Sequence, residues 1–244
     1  MRLLGGVPYP DPTTTLSLLP NAAIGEWLYE HRDRFAGHLL DVGCGNRPYA
    51  SFYEPLVKEA VGVDATAGHG AAVLGFADRL PFADQTFDTV LCTEVLEHVG
   101  DAERAVDELL RVCRPGGHVL ATVPYLYPTH EAPYDFHRFT HHGLHDLMVR
   151  HGFEVLSLEA KGGAGLLLAH FTVLAAIRAT ERLTAGLGRP DALATNRYLR
   201  ACLWGPQEAF LRRRDARRPV RGTAELVSLG YMVVARRPRA VVDP

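Results

Sequence analysis

Leu39-Leu40-Asp41-Val42-Gly43-Cys44-Gly45-Asn46-Arg47-Pro48 reads as a short buried strand that runs into a glycine turn and then a helix beginning near Pro48. Proline suits a first helical turn because its fixed φ and missing N–H cost nothing there. Gly43 and Gly45 can take φ > 0 and carry no Cβ, so a ligand can lie against bare backbone just outside the carboxyl end of the strand. Turns of this kind also occur in ordinary strand-to-helix connections, so the spacing of the next acids along the chain decides. Ala60-Val61-Gly62-Val63-Asp64 is a second apolar strand, and it closes on a carboxylate nineteen residues beyond Gly45, where a βαβ unit places an acid over ribose hydroxyls. A third acid, Asp78, comes after another short apolar run, and residues 86 to 99 read as a strand feeding a helix.

These four motifs, in this order and spacing, resemble a class I S-adenosylmethionine-dependent methyltransferase of the broad type 11 group, over residues 37 to 161 and the final strand. The resemblance implies an α/β, Rossmann-like fold: a seven-stranded, mostly parallel sheet with an antiparallel last strand and helices on both faces. It also implies S-adenosyl-L-methionine as cofactor. On that basis Asp41, Gly43 and Gly45 flank the methionine moiety, Asp64 holds the ribose, Asp78 meets the adenine amine and Leu80 packs on the adenine ring. Arg79, Thr93 and Glu94 complete the cofactor set. The family's usual third glycine is replaced here, and Arg47 either reaches the methionine carboxylate or faces solvent.

With 244 residues the chain is long enough to bury a full core, and a formal net charge of -2 predicts no general affinity for nucleic acid. Cys44, Cys92, Cys113 and Cys202 show no metal or disulfide spacing and read as reduced, buried thiols, which fits the cytoplasm. Lys58 and Lys161 are the only lysines against 24 arginines, a bias of the kind a GC-rich genome produces. Met1-Arg2-Leu3-Leu4 leads at once into Gly and Pro, so no export signal is expected.

Three segments are expected: an N-terminal helical cap over 1–36, a cofactor-binding domain over 37–161 and 227–240, and a helical insertion over 162–226. Leu16 to Phe35 has helical spacing, suited either to lying across the cofactor mouth or to covering a sheet edge. Asp101 is the expected cap of a helix that buries Ala102, Val106, Leu109, Leu110 and Cys113 and is stopped by Pro115-Gly116-Gly117. His118 to Val123 is the fifth strand and Phe153 to Ala160 the sixth.

The acceptor is expected at the loop after strand five, Pro124 to Thr140, since ligands gather outside the carboxyl ends of strands. Seven of the twelve histidines fall between 118 and 151. A methyl transfer to a hydroxyl needs the acceptor positioned and its proton taken, and imidazole suits that task. His137 ahead of His130 is the candidate base, with Asp135 or Glu131 orienting it. Tyr125, Tyr134 and Arg138 are candidate acceptor contacts, and the four aromatics before His137 form an expected apolar wall for a sulfonium. A metal shared by His137, His141 and His145 is the competing reading, and surface histidines behind an N-cap at Thr140 the plainest one.

The insertion opens with Gly162-Gly163-Ala164-Gly165 and a helix of about twelve apolar residues, interrupted or ended by His170 and Arg178 and too short to cross a bilayer. It suits a lid, a dimer face or a shallow membrane contact. Arg212, Arg213, Arg214, Arg217, Arg218 and Arg221 then read as a solvated face or an anion contact. The expected function is methylation of a small-molecule acceptor, foremost O-methylation of a natural-product or sugar-type metabolite, by a monomer or homodimer. N- or C-methylation, a non-transferring cofactor binder or cyclase, and RNA methylation are the alternatives.

Overall fold

The computed structural model describes residues 2–4, 7–9, 18–66, 70–213 and 227–239. The chain divides into two compact units, one holding residues 30 to 161 with those from 229 onward, the other those up to 29 with 162 to 228. In the latter, β1 (Arg2–Leu4) and β2 (Val7–Tyr9) pair antiparallel, and α1 (Leu18–Glu30) buries Leu18, Leu19, Ile24, Trp27 and Leu28.

The larger unit is the sheet. Its strands are β3 (His38–Val42), β4 (Glu59–Asp64), β5 (Val73–Leu74), β6 (Phe87–Thr93), β7 (Cys113–Pro124), β8 (Glu154–Ala160) and β9 (Gly230–Arg236). They lie in the order β5-β4-β3-β6-β7-β9-β8, parallel from β5 to β7, with β9 antiparallel to both of its neighbours. The seven-stranded sheet with an antiparallel closing strand is the expected one. Strand order reverses between β3 and β6, so the crevice beyond their carboxyl ends is where such a sheet takes its ligand.

Among the described residues three α-helices complete this unit: α2 (Ala50–Tyr53), α3 (Ala102–Val112) and α4 (His141–Arg150). Asp101 Oδ1 accepts the Arg104 N–H at 3.0 Å and Thr140 Oγ1 the Gly143 N–H at 3.0 Å, so both expected N-caps form. The core joins Ala105, Val106, Leu109 and Val112 of α3, and Leu144, Leu147 and Met148 of α4, to Leu40, Val42, Val90, Cys92, Val119, Ala121 and Val233 of the sheet. Each fully buried Val or Leu contributes about 1.5–3 kcal/mol relative to its exposed state.

Two boundaries differ from expectation. The helix after the glycine turn starts at Ala50 rather than near Pro48 and lasts one turn before a 3-10 turn over Glu54–Leu56. Helix α3 ends at Val112, ahead of Pro115-Gly116-Gly117, which is the entry of β7. Its terminal carbonyls are closed by Arg237, whose guanidinium donates to the Leu110, Arg111 and Cys113 oxygens at 2.8, 3.2 and 2.9 Å. A cation at a helix C-terminus meets both the orphan carbonyls and the negative end of the helix dipole.

In the smaller unit α5 (Ala164–Gly186), α6 (Ala192–Thr195) and α7 (Arg197–Arg213) pack together, and the Leu18 N–H donates to Gln207 Oε1 at 2.8 Å. Helix α5 is 23 residues long, not about twelve, because Arg178 lies within it and does not end it. By length and composition it is apolar enough to cross a membrane, with 17% of its most apolar window buried. Arg214, Arg217, Arg218 and Arg221 lie outside the described residues, and of Arg212 and Arg213 only the helical backbone is described.

Buried Thr89 in β6 fastens the approach to β3: its Oγ1 accepts the Ala36 N–H at 3.1 Å and lies 3.1 Å from the Arg34 oxygen. Thr89→Val leaves that amide unpaired and is expected to lower stability by about 1–3 kcal/mol, read from the urea midpoint, with Thr89→Ser recovering most of it.

Candidate functional site

The glycine turn closes on the second strand's acid. Gly43 and Gly45 take φ of 61° and 47°, and the Gly45 N–H donates to Asp64 Oδ2 at 2.9 Å. A Cβ on Gly43 would collide with Val95 from the loop after β6, whereas a Cβ on Gly45 would meet nothing within 4 Å. Gly43 is therefore needed for packing and Gly45 for open approach to the backbone beside Asp64.

Asp64 Oδ1 accepts from both the amide and the hydroxyl of Thr66, at 2.9 and 2.8 Å. Burial works to raise the Asp64 pKa, but the bonds from Thr66 and Gly45 outweigh it and hold the carboxyl below its ordinary value. Three of about four acceptor positions are thus taken. Displacing the Thr66 hydroxyl would free Oδ1 to accept from a ligand hydroxyl, the kind of donor a ribose diol offers.

Asp41, 3% exposed, accepts the Tyr53 hydroxyl at 2.7 Å. Arg47 donates to the same Tyr53 oxygen at 3.2 Å and ion-pairs with Glu54 at 3.0 Å. Arg47 is therefore folded back onto Tyr53 and Glu54 and does not simply face solvent. Among the buried thiols Cys44 is pushed up to about 11, chiefly by burial, while Cys202 is exposed, against expectation.

The loop over residues 78–82 hangs on α3. Glu108 Oε2 accepts the Leu80 N–H at 2.6 Å, and Arg111, clamped by Glu108, donates to the Leu80 and Phe82 oxygens at 3.0 and 2.8 Å. Leu80 is buried in the core cluster, Asp78 lies 3.8 Å from Arg79, and the Arg79 guanidinium sits 4.8 Å over the Phe76 ring.

Beyond β6 the backbone turns sharply, with Glu94 at φ 54°. Its Oε1 accepts the Thr122 hydroxyl at 2.7 Å and its Oε2 the Lys161 ammonium at 2.5 Å, while its N–H goes to the Thr122 oxygen at 3.0 Å. Thr93, half-buried, is the last residue of β6 and lies in register with Thr122. The turn delivers Glu97 to the interior: it is 0% exposed, and neither of its carboxylate oxygens receives a hydrogen bond. His98 Nε2 and His130 Nε2 lie 3.6 and 3.8 Å from Glu97 Oε1. Burial, then the charge of Glu94, pushes the Glu97 pKa well up, and Lys161 and Arg138 only partly offset this.

The structure reassigns the loop residues. Asp135 does not orient His137: both of its oxygens bind Arg138 Nη atoms at 2.5 and 2.7 Å, and Oδ2 accepts the His130 N–H at 2.9 Å. Those bonds to Arg138 hold the Asp135 carboxyl far below its ordinary value. Arg138 is committed to this pair and to nearby carbonyls, so it is not poised for an acceptor. His137 Nε2 lies 3.3 Å from the Gly100 oxygen, beside a hollow of about 540 Å³ lined by Asp101, Phe139, Leu147 and Arg150.

Among the described residues the His and acid side chains placed so that three could share one metal ion are Glu97, His98 and His130, not His137, His141 and His145. The four aromatics do not make one wall either. Tyr125 tilts against Tyr231 and Tyr127 meets His130 edge-on, whereas Tyr134 and Phe136 are 65% and 51% exposed. Sequence reasoning missed Glu97. Its signal is an acid inside an apolar run, Val95-Leu96-Glu97-His98-Val99, where a carboxylate is costly unless it serves a purpose.

Strand order, the glycine turn at the switch point and the acid closing β4 give the Rossmann-like fold of class I methyltransferases. Comparison with known proteins agrees with that fold: residues 40–121 match the family described as Methyltransferase domain. It is similar to the uncharacterized methyltransferase YcgJ of Bacillus subtilis, 31% identical over 43% of this chain and 43% of that protein. It is also similar to methyltransferase GfsG of Streptomyces halstedii, 33% identical over 46% and 47%. The matches thus span about half the length of those relatives. In fold it is similar to the [4+2]-cyclase SpnF, with a TM-score of 0.57 at 19% identity, over 96% of this chain and 87% of that one.

Burial pushes the Asp41 pKa up to about 6 from 3.8, against the Tyr53 bond and the Arg47 charge. Because the folded state holds this proton more tightly, the stability it contributes is present below about pH 4 and is lost as pH rises to about 6. Asp41→Asn, which can keep the Tyr53 bond, is expected to gain stability relative to the parent across that window, measured by urea unfolding at a series of pH values.

Proposed function

We propose that this chain uses S-adenosyl-L-methionine to methylate a small-molecule acceptor, foremost at a hydroxyl, as on a natural product or a sugar-type metabolite. The observation that carries this is the juxtaposition at the carboxyl ends of the parallel strands. The open Gly45 turn bonded to Asp64 lies at β3 and β4, and the Glu97–His98–His130 cluster lies just past β6 against the loop after β7. The cofactor supplies an electrophilic methyl group on a sulfonium. Gly43, Gly45 and Asp64 bind and orient it, with the 78–80 loop on the adenine side, while the cluster takes the acceptor proton.

Within the 124–140 loop this moves the base from His137 to His130. His130 is fixed by Asp135 through its amide and stands beside a buried acid, whereas His137 faces the hollow near Gly100. No nucleic-acid partner is part of this reading, and reduced thiols fit a cytoplasmic setting.

Asp64→Ala removes charge-assisted hydrogen bonds of about 1.5–3 kcal/mol each, so calorimetry is expected to show S-adenosylhomocysteine affinity falling about tenfold or more. Unchanged affinity in a folded Asp64→Ala variant removes Asp64 from the cofactor site. With radiolabelled methyl donor and a panel of hydroxylated metabolites, His130→Ala is expected to lower kcat by about 10²–10⁴ with cofactor affinity retained. His137→Ala should stay within about threefold of the parent; the opposite ranking restores the base to His137.

A further inference from the structure

Glu97 is a buried carboxylate without a cation of its own. The two cationic side chains that act on it electrostatically are spoken for, Lys161 by Glu94 at 2.5 Å and Arg138 by the two oxygens of Asp135. Neither Glu97 oxygen accepts a hydrogen bond, although the side chain is 0% exposed. A buried polar group left in this state costs free energy unless something else serves it. What faces it is a pair of imidazoles, each turned so that Nε2 points at the carboxylate.

The orientation of those rings is itself built. His98 Nδ1 lies 2.8 Å from the Tyr134 backbone oxygen, a contact that requires Nδ1–H and that in the neutral ring leaves the Nε2 lone pair facing Glu97. His130 Nδ1 lies 3.3 Å from Asp135 Oδ2, close but not aligned as a hydrogen bond. The rings meet edge to face with centroids 4.7 Å apart. A histidine that binds metal through one nitrogen typically gives its other N–H to a backbone carbonyl or a carboxylate, which fixes ring and tautomer.

We propose that Glu97 Oε, His98 Nε2 and His130 Nε2 form a binding site for a first-row divalent cation such as Mn²⁺, Co²⁺ or Zn²⁺. The three ligand atoms lie within 4.8 Å of one another. Ligands at about 2.0–2.1 Å in tetrahedral geometry are spaced about 3.4 Å apart, so closure draws each imidazole a few tenths of an ångström toward Glu97 from 3.6 and 3.8 Å and brings the two nitrogens together from within 4.8 Å. Two nitrogens and one carboxylate favour a first-row metal over Mg²⁺ or Ca²⁺, which take all-oxygen sets. Three protein ligands leave positions open, and a cation in such a site acidifies a hydroxyl bound to it. With the cation bound His130 serves as a ligand in place of the base, so this catalytic role rests on the methyl-transfer reading and changes how the proton leaves; metal binding itself does not rest on that reading.

The test is titration of the chelator-treated full chain with Co²⁺ alone, followed by its visible d–d absorption, with Zn²⁺ as competitor. One Co²⁺ per chain is expected, with affinity reduced about tenfold or more in Glu97→Gln, His98→Ala and His130→Ala and unchanged in His142→Ala. Absence of any absorption change overturns the proposal, as does binding that all three variants retain. If Glu97→Gln does not fold, His130→Ala reads the same site, since that side chain is 28% exposed. A chain that binds no Co²⁺ yet transfers methyl overturns the metal site and leaves the proposed function standing. A chain that binds Co²⁺ at this cluster but transfers no methyl group to any acceptor supports the site and overturns that function.

Discussion

The bonds that hold Glu94 fix the shape of everything beyond β6. A non-glycine residue with φ 54° costs on the order of 1–3 kcal/mol and persists only where its surroundings insist on it. Here they do: the carboxylate takes Thr122 from β7 and Lys161 from the end of β8, and the amide is tied to Thr122 as well. Hydrogen bonds to charged groups are worth about 1.5–3 kcal/mol each, so two of them exceed the strain. Lys161 has lost its water, so the pair is strongly required once formed and costly to break on one side only. The turn it enforces puts Val95 against Gly43 and swings Glu97 inward, where its backbone oxygen accepts the Phe136 and His137 amides at 2.8 and 3.3 Å. One sharp turn thereby couples the glycine loop, the buried acid and the loop after β7.

Local patterns carried most of the fold in the sequence. Apolar strands closing on Asp41 and Asp64, the caps at Asp101 and Thr140 and the apolar stripe of α3 are signals contained within a few residues, and each appears as expected. What could not be read depends on residues far apart in the chain. The end of α3 is set by Arg237, more than a hundred positions later, not by the adjacent Pro-Gly-Gly. Arg178 looked like a stop to α5, but one charge on a solvated helix face costs little, and the helix runs on to Gly186.

The meeting of the glycine turn with Asp64 was legible in the sequence, and the contacts made by the loop after β7 were not, for a geometric reason. Asp135 and His137 are close in sequence, yet in a stretch without helical structure that closeness does not fix which way two side chains point. The acid instead bends back to Arg138 and the His130 amide. Glu97 was hidden by its context, since an acid in an apolar run reads as the solvent face of a starting helix until burial is known.

Charge around the acceptor side links these observations. Glu94, Glu97 and Asp135 stand against Lys161 and Arg138, and each cation is matched to one acid, so one buried carboxylate is left over. Methyl transfer from a sulfonium disperses positive charge as the reaction proceeds. An uncompensated negative charge near the reacting centre therefore favours the ground state over the transition state and works against the rate. Either a proton or a metal cation on Glu97 removes that penalty. The proton does only that, leaving the acceptor hydroxyl as weak an acid as before, whereas a divalent cation shared with His98 and His130 cancels the charge and acidifies the hydroxyl at once. The surplus carboxylate is then half of a site whose other half is the pair of turned imidazoles.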